Sequence, residues 1–326
     1  VRPETALATQ AGLALGDRGG IVVDTEMRTS DPSIWAVGDV VQVPDVLLGQ
    51  KTVLPLAGPA NRQGRTAAES IAGRPTHFRG IQATAVVGVL GLTVASTGAS
   101  EKGLRRAGVT NFEKVYLHPG HHAGYYPGAR PIHLKLLFAV PDGQILGAQA
   151  VGEEGTEKRI DVIATAIQFG GTVHDLAESE LCYAPQFGAA KDPVNLAGML
   201  AQNVLNGDMP TADWSEVGSS DALLLDVREP DEFARGHIPG ASNRFFKDNL
   251  GPDGRFKPAE QLRDEFAALL APYTAADVVH QCGSGVTACH NLLAMAHAGL
   301  PPTRLYAGSW SEWCADPARP VARGEA

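Results

Sequence analysis

The last third of the chain alternates short runs typical of β-strands with longer amphipathic runs typical of helices. ALLLDV is followed by AEQLRDEFAALLAP, DVVHQC is followed by ACHNLLAMAHAG, and TRLYAG comes last. Because consecutive strands that are separated by helices pair in parallel, this order predicts a small α/β domain with a parallel sheet. No fixed-period repeat that would indicate a solenoid or a propeller is evident in the sequence.

One junction between these runs holds a cysteine. Cys282 ends DVVHQC, and the residues Gly-Ser-Gly-Val-Thr separate it from the next helical run. A Walker phosphate loop would need a lysine after the glycines, and a dinucleotide-binding fingerprint would need a third glycine. Structural zinc needs cysteine or histidine pairs with closer spacing than that between Cys282 and Cys289. We therefore expect neither a phosphate loop nor a metal site at this junction.

A nucleophilic cysteine fits the loop better. The glycines let the backbone curl around the sulfur without Cβ clashes. The N–H groups of the loop and of the following helix start would favour a thiolate, and equally a persulfide, which is also an anion. A buried, inert cysteine at the end of a strand is the alternative that local chemistry leaves open.

The sequence around this loop resembles the rhodanese sulfurtransferase family over residues 214–324. The resemblance is carried by LLLDVREPDEFARGHIPGASN, by the cysteine loop and by LYAGSWSEW. It implies that Cys282 is the nucleophile, which takes a sulfane sulfur from a donor and passes it to a thiol or to cyanide. It also implies an anion cradle around the sulfur and a D-x-R motif that helps to hold an anionic donor. The cradle residues are Gly283, Ser284, Gly285, Val286 and Thr287, and the motif residues are Asp226 and Arg228.

The donor stays open between thiosulfate and 3-mercaptopyruvate. The Gly-Ser-Gly loop is similar to that of mercaptopyruvate sulfurtransferases. It differs from the loop of thiosulfate sulfurtransferases, which is more basic. The mercaptopyruvate enzymes, however, pair two rhodanese domains and carry an insertion before their G-H-I-P-G sequence. Here only residues 229–235 lie between the D-x-R motif and that sequence.

The first two-thirds of the chain divides into two patterns. Residues 1–80 alternate short strands with the helix-like run GPANRQGRTAAESIAG, and residues 81–206 are rich in strands and then in helices. Pro-Asp-Gly at 141–143 predicts a hairpin turn. The polar, Gly- and Pro-containing stretch 207–220 is the best candidate for a linker.

A strand-like run, IWAV, ends in Gly38-Asp39. Glycine allows close approach, and a carboxylate can accept hydrogen bonds from sugar-like hydroxyls, although such strand ends are also common turns. Together with LPLAGPANRQGRTAAESIAG, GYYPGARPIHLKLLF and the helical region after residue 157, this stretch resembles the C-terminal half of a pyridine nucleotide-disulfide oxidoreductase. The resemblance covers nearly all of 1–207 and is to the coenzyme A-disulfide reductase and NADH oxidase branch.

This second resemblance implies roles for several residues. Gly38 and Asp39 would bind the ribityl chain of FAD. Tyr125 or Tyr126, together with Tyr183, would approach the active site of the partner subunit in a homodimer, and core or interface aromatics are the alternative reading of these tyrosines.

The predicted fold is therefore α/β and α+β. A partial FAD-binding segment occupies 1–80, an α+β dimerisation domain occupies 81–206, and a rhodanese-like α/β domain with a parallel sheet occupies 214–324.

Three features of the family's other half do not occur in this sequence. There is no G-x-G-x-x-G at a strand–helix junction for FAD, none for NAD(P)H, and no flavin-proximal redox cysteine. In relatives these features precede the position of Val1, so we expect a larger parent protein. FAD and NAD(P)H are expected to bind the intact parent, and neither is expected to bind this chain tightly by itself.

Composition narrows the class of partner. A formal net charge of −9 argues against binding to nucleic acid. The longest charge-free stretch, 80–100, is rich in glycine, threonine and serine, and therefore predicts buried strands rather than a membrane helix. Four cysteines without C-x-x-C spacing and no signal peptide predict reduced thiols in the cytoplasm.

The predicted function is sulfur transfer through a persulfide on Cys282. That activity would be attached to the C-terminal part of an FAD-dependent NAD(P)H reductase of disulfides, persulfides or polysulfides. The expected partners are small sulfur donors and thiol acceptors, including coenzyme A species, and a second copy of the chain. The alternative is a truncated reductase fragment that acts as a dimerising scaffold without catalysis of its own.

Overall fold

The structure is a computed structural model that describes residues 2–208, 210–217 and 222–324. The chain divides into two compact units, residues 1–205 and residues 206–326. Among the described helices, none combines the length and the apolar character that a bilayer-spanning helix requires.

The first part of unit 1 is a small sheet with a helix. Strands β1 and β2 pair in parallel, β2 and β3 pair antiparallel, and a core that includes Met27, Val41 and Ile81 packs beside them. The elements are α1 (Ala6–Gln10), β1 (Ile21–Val22), β2 (Val41–Pro44), β3 (Lys51–Thr52) and α2 (Ala57–Ile71). Helix α2 is followed by Gly73 in the left-handed region, as the sequence predicts.

The chain around Gly38 differs from the prediction of a strand that ends there. Gly38–Val40 form a single 3-10 turn, and the regular strand β2 begins only at Val41. Gly38 has a φ of +84°, a left-handed conformation that turns the chain and that glycine adopts at low cost. The predicted strand was placed too early because the turn separates two apolar runs that read as one in the sequence.

The second part of unit 1 is a five-stranded antiparallel sheet in the order β4-β5-β8-β7-β6. Helix α4 packs on one face, where Leu134, Leu136 and Ile163 are among the fully buried side chains. The Pro-Asp-Gly turn joins β7 to β8, as predicted. The elements are β4 (Ala85–Val89), β5 (Leu92–Gly98), α3 (Glu101–Arg106), β6 (Phe112–Leu117), β7 (Ile132–Ala139), β8 (Ile145–Gly152), α4 (Thr156–Gln168), α5 (Val173–Glu178) and α6 (Pro193–Asn206).

The edge of this sheet exposes large apolar side chains. Strand β4 and the turn after it leave Val86 60% exposed, Val87 53% exposed and Leu90 fully exposed. An exposed apolar sheet edge of this kind is characteristic of a surface that binds another protein chain.

Unit 2 contains the parallel sheet that the sequence predicts. The strand order is β10-β9-β11-β12, and all three pairings are parallel. Helices α9 and α10 pack against one face through residues such as Phe266 and Met295. The elements are α7 (Trp214–Val217), β9 (Leu223–Asp226), α8 (Pro230–Arg235), β10 (Ser242–Asn243), α9 (Ala259–Leu270), β11 (Val278–Gln281), α10 (Ala288–His297), β12 (Arg304–Leu305) and α11 (Ser309–Ala315).

Part of the predicted linker is built into unit 2. Thr211 forms an isolated parallel bridge with Leu305, and Ala212 is buried in the core of the unit. Met209 and residues 218–220 of the same stretch lie outside the described residues. The linker prediction was therefore wrong for 210–217, because a pairing with a strand some ninety residues away leaves no signal in local composition.

Candidate active site

Cys282 lies at the carboxyl end of β11, in the centre of the parallel sheet. Only 2% of its surface is exposed, and it packs against Val227, Ala288 and Leu305. The loop of five residues that follows leads directly into α10, which begins at Ala288. This is the strand–loop–helix arrangement that the sequence predicts for a nucleophile.

The loop leaves its backbone donors unused. Within the described residues, no acceptor is found for the backbone N–H groups of residues 283–287. Ser284 and Val286 are exposed, whereas Gly283, Gly285 and Thr287 are buried or half-buried. Successive loop N–H groups without a protein acceptor form a place where an anion can be bound. Helix α10 adds the positive end of its dipole to the same place.

Helix α11 holds the loop from the other side. The backbone N–H of Cys282 donates to Ser309 Oγ at 3.1 Å, and the carbonyl of Cys282 accepts the N–H of Trp310 at 3.0 Å. The carbonyl of Gly283 accepts from both the N–H of Ser311, at 2.9 Å, and Ser311 Oγ, at 2.6 Å. These bonds use the carbonyl groups at the start of the loop, and this directs its N–H groups away from them.

Gly285 is required by its conformation and by its surroundings. Its φ is +83°, and a Cβ atom built on it would lie far inside van der Waals contact of the carbonyl oxygen of Ala307. Gly283 differs, because a Cβ atom there would meet nothing within 4 Å. The Gly-Ser-Gly pattern thus contains one glycine that the backbone needs and one that leaves space near the sulfur.

The D-x-R motif forms a buried ion pair at the end of β9. Arg228 Nε lies 3.0 Å from both carboxylate oxygens of Asp226, and Arg228 Nη2 lies 2.6 Å from Asp226 Oδ2. Arg228 Nη2 also donates to the carbonyl of Gly236 at 2.8 Å. Asp226 thus offsets most of the charge of Arg228, whose Nη1 has no partner within the described residues.

A cleft of about 290 Å³ opens beside the start of the cysteine loop. The guanidinium carbon of Arg228 lies 4.9 Å from the centre of the Trp310 ring, so the two side chains stack as a cation–π pair in its wall. The cleft is lined by Arg228, Glu232, Arg235, Gly236, Gly283 and Trp310. A small polar molecule in this cleft would lie next to the loop that carries Cys282.

Cys289 lies next to the cysteine loop. It is the second residue of α10, and its Sγ contacts the carbonyl oxygen of Gly285 at 3.5 Å. Burial raises the pKa of the Cys289 thiol, and the charge of Cys282 raises it further. The thiol of Cys289 is therefore kept protonated beside the candidate nucleophile.

Two histidines near the loop are structural. His237, in the G-H-I-P-G sequence, stacks on Phe233 at 3.8 Å between ring centres and lies 3.0 Å from the carbonyl oxygen of Phe233 through Nδ1. His280 is fully buried in β11, neither ring nitrogen has a partner within the described residues, and burial lowers its pKa to about 4. A neutral, buried histidine of this kind belongs to the core.

Sequence reasoning missed six residues that contact the loop or line the cleft, and these are Ser309, Trp310, Ser311, Glu232, Arg235 and Gly236. The L-Y-x-G-S-W-S-E-W ending contained a signal for the first three, because it carries part of the resemblance to the rhodanese family. The sequence contains no signal for Glu232 and Arg235, because their place in the cleft depends on how α8 packs beside the cysteine loop.

In unit 1 one of the two predicted flavin contacts, Asp39, is available to a ligand. The Gly38 N–H donates to Gln63 Oε1 at 2.7 Å, and this fixes the turn. Asp39 is exposed, and its carboxylate has no hydrogen-bond or ion-pair partner within the described residues. A free carboxylate on a fixed turn fits a group that presents hydroxyls.

The structure distinguishes between the two candidate tyrosines of the 119–131 loop. Tyr125 and Tyr183 form a hydrogen bond between their hydroxyl oxygens at 2.8 Å, and this bond raises the pKa of Tyr183. Tyr126 instead packs edge-on against His122, with ring centres 5.5 Å apart. All three tyrosines are exposed, and the hydroxyl pair is formed by Tyr125 and not by Tyr126.

Family models match three successive segments of the chain. The model of the pyridine nucleotide-disulphide oxidoreductases matches residues 1–64, and the model of the dimerisation domain of that family matches 84–193. The model of the rhodanese-like domain matches 211–316.

Curated relatives resemble the two halves separately. A probable 3-mercaptopyruvate sulfurtransferase of Pseudomonas aeruginosa is 52% identical over 120 residues, which cover 34% of this chain and 42% of the relative. A coenzyme A disulfide reductase of Staphylococcus epidermidis is 35% identical over 201 residues, which cover 61% of this chain and 45% of the relative. The chain thus spans less than half the length of each of these relatives.

Solved structures resemble nearly the whole chain. The reduced CoADR-RHD protein of Bacillus anthracis matches with a TM-score of 0.82 and 39% identity, over 95% of this chain and 53% of that one. An NAD-dependent persulfide reductase from A. fulgidus matches with a TM-score of 0.80 and 32% identity, over 96% of this chain and 54% of that one. The chain therefore joins a segment of a pyridine nucleotide-disulphide oxidoreductase and the dimerisation domain of that family to a rhodanese-like domain.

Proposed function

We propose that this chain transfers sulfane sulfur through a persulfide on Cys282. The observation that carries the proposal is the run of five backbone N–H groups, from Gly283 to Thr287, that have no acceptor within the described residues. A thiolate and a persulfide are both anions, and such a loop stabilises each of them by the same donors. The likeness to a probable 3-mercaptopyruvate sulfurtransferase supports the same reading.

The proposed reaction has two steps. The thiolate of Cys282 attacks the transferable sulfur of the donor, and the bond that joins this sulfur to the rest of the donor breaks. The leaving group is sulfite from thiosulfate, the enolate of pyruvate from 3-mercaptopyruvate, and a thiolate from a persulfide. The anionic persulfide on Cys282 then rests in the cradle. In the second step an acceptor thiolate attacks the outer sulfur of this persulfide, and Cys282 leaves as a thiolate again.

For the intact parent we propose a reductase of persulfides or polysulfides that uses FAD and NAD(P)H. The likeness to the NAD-dependent persulfide reductase supports this second function, and FAD would supply the hydride and electron transfer. In this chain Asp39 and Gly38 would hold the ribityl hydroxyls, and the Tyr125–Tyr183 pair would face the site of a partner subunit. Coenzyme A species would be among its thiol substrates.

We further propose that the chain forms a homodimer in the cytoplasm. The matched dimerisation domain and the exposed apolar edge of β4, with Val86, Val87 and Leu90, support the dimer. Reduced thiols, which the chemistry of Cys282 requires, persist in that compartment. Division into an FAD-binding segment (1–80), a dimerisation domain (81–206) and a rhodanese domain (214–324) is part of the same proposal.

The test compares two cysteine variants. The wild-type protein is incubated with thiosulfate or with 3-mercaptopyruvate, and intact mass is measured before and after cyanide is added. We expect one added sulfur atom, its loss to cyanide, and neither event in Cys282→Ser. Cys314→Ser is the matched control, because Cys314 is an exposed thiol in α11 of the same unit. Sulfur transfer that persists in Cys282→Ser would contradict the role of Cys282, and a wild-type protein that gains no sulfur from either donor would instead support the dimerising scaffold.

A further inference from the structure

Helix α8 presents two opposite charges to the cleft beside the cysteine loop. Glu232 and Arg235 are exposed, line this cleft, and lie three residues apart on the helix. Within the described residues neither forms an ion pair, and the only side-chain hydrogen bond found for either is from Arg235 Nε to the carbonyl of Asp231 at 3.2 Å. Both charges are therefore available to a molecule in the cleft.

Arg228, which lines the same cleft, does not offer a comparable charge. Its guanidinium is paired with the buried carboxylate of Asp226 and donates to the carbonyl of Gly236. Arg235 is therefore the arginine of this cleft whose charge is not neutralised by a carboxylate within residues 222–324. The cleft thus offers one cation and one anion, and Gly283, the residue that follows Cys282, lines the same cleft.

This pattern selects the chemistry of the ligand. Side chains three residues apart on a helix are about 5–6 Å apart at Cβ. An arginine matches a carboxylate in charge and geometry, and Glu232 matches an ammonium group. Thiosulfate and 3-mercaptopyruvate have no ammonium group, so Glu232 would repel them at short range. A volume of about 290 Å³ restricts the occupant to a small molecule.

We propose that the donor for Cys282 is a zwitterionic α-amino acid persulfide, of the kind that cysteine forms. Its carboxylate pairs with Arg235, its ammonium group pairs with Glu232, and its outer sulfur points past Gly283 to Cys282. The inference rests on the proposed sulfur transfer and adds its donor class.

The transfer step balances without a further reactant. The thiolate of Cys282 attacks the outer sulfur of the protonated donor persulfide, and a new S–S bond forms. The S–S bond of the donor breaks, and the donor leaves as the amino acid thiolate. The proton stays on the transferred sulfur until the cradle stabilises the anion. One S–S bond replaces another, so no external oxidant or reductant is needed.

The experiment uses the full chain and three donors. Cysteine persulfide carries both charges, N-acetylcysteine persulfide carries the carboxylate without the ammonium group, and thiosulfate carries neither an ammonium group nor a carboxylate. For Glu232→Gln we expect kcat/KM to fall roughly fivefold with cysteine persulfide, the size of an exposed ion pair. With the other two donors we expect no fall. Arg235→Gln should weaken both carboxylate donors.

Controls separate this inference from the function on which it rests. Glu260→Gln removes the same charge from the first turn of α9, outside the cleft, and should leave the ratio of the two persulfide donors unchanged. If Glu232→Gln lowers kcat/KM equally for cysteine persulfide and N-acetylcysteine persulfide, the proposed zwitterionic donor is wrong. The proposed sulfur transfer would not be contradicted by that result. Activity of Cys282→Ser with every donor would overturn the sulfur transfer itself.

Discussion

The hydroxyl of Ser309 lies between two backbone groups of the candidate active site. It accepts the N–H of Cys282 at 3.1 Å and donates to the carbonyl of Tyr306 at 2.8 Å. Ser309 is fully buried and has a φ of +51°, which is rare for a residue with a side chain. Ser309 therefore both stabilises unit 2 and fixes the backbone of Cys282, and it does so in a strained conformation.

Replacing Ser309 by alanine should destabilise unit 2. The change leaves the N–H of Cys282 buried without an acceptor, which costs about 1–3 kcal/mol. Ser309→Gly loses the same hydroxyl but relieves the positive φ, so it should recover part of the loss. Urea unfolding of both variants, read by tryptophan fluorescence, measures the difference. An alanine variant as stable as the wild type would show that the hydroxyl contributes nothing.

The two glycines of the loop should differ sharply when each is changed to alanine. Gly285→Ala places Cβ against the carbonyl oxygen of Ala307 at a φ of +83°, so we expect the loop to shift and persulfide formation to be lost. The strain should cost about 1–3 kcal/mol. Gly283→Ala meets no atom within 4 Å and should form the persulfide with little loss of stability. Intact mass after incubation with a sulfur donor checks both, and equal behaviour of the two variants would contradict the cradle geometry.

The buried His280 should make stability depend on pH. Its folded-state pKa is about 4, whereas that of an unfolded histidine is about 6.5, so the unfolded chain takes up the proton first as the pH falls. The contribution of His280 to the free energy of unfolding should therefore be complete above pH 6.5. It should decrease by roughly 3 kcal/mol as the pH falls to about 4. His280→Leu should flatten this decline in urea titrations at several pH values.

His290 must be considered in the same experiment. Burial lowers the pKa of His290 too, so its effect on stability has the same sign. The difference between the wild type and His280→Leu isolates His280, since His290 is common to both. The carboxylate of Glu265, whose pKa is lowered from 4.5 to about 2, loses its contribution as the pH falls below 4.5, so it adds to the decline only at its acidic end. An unchanged slope in His280→Leu would assign the decline to other groups.

The reactivity of Cys289 should report the charge on Cys282. Burial and the Cys282 charge both raise the pKa of Cys289, so its alkylation at pH 8 should be slower than that of Cys314. Because an alkylating reagent attacks the thiolate, the rate should increase with pH. In Cys282→Ser the charge is removed, and Cys289 should react faster while Cys314 does not change. Peptide mapping of a time course measures both rates. If Cys289 is alkylated at the same rate in Cys282→Ser as in the wild type, Cys282 carries no charge that acts on it.

The sequence predicted the elements with strong local patterns. The alternating runs of unit 2 predicted the parallel sheet, and Pro-Asp-Gly at 141–143 predicted the hairpin that joins β7 to β8. The cysteine loop was predicted as a strand–loop–helix junction because glycines mark the turn and an apolar strand precedes it. These features depend on residues close together in the chain, and local chemistry is enough to read them.

Contacts between distant residues could not be predicted. Thr211 pairs with Leu305 and turns part of the expected linker into core, and Arg228 donates to Gly236 across a helix. The turn at Gly38 shifted a strand by several residues, since φ at a glycine has no signature in composition.

The bonds from Trp310 and Ser311 to the start of the cysteine loop have a consequence for synthesis. A ribosome that has just completed Cys282 has not yet made the helix that positions its carbonyl. Until the chain is lengthened past residue 311 and that segment leaves the exit tunnel, these bonds cannot form. The start of the cysteine loop is therefore fixed only after residues 84–193, which match the dimerisation-domain model, have been exposed to the cell.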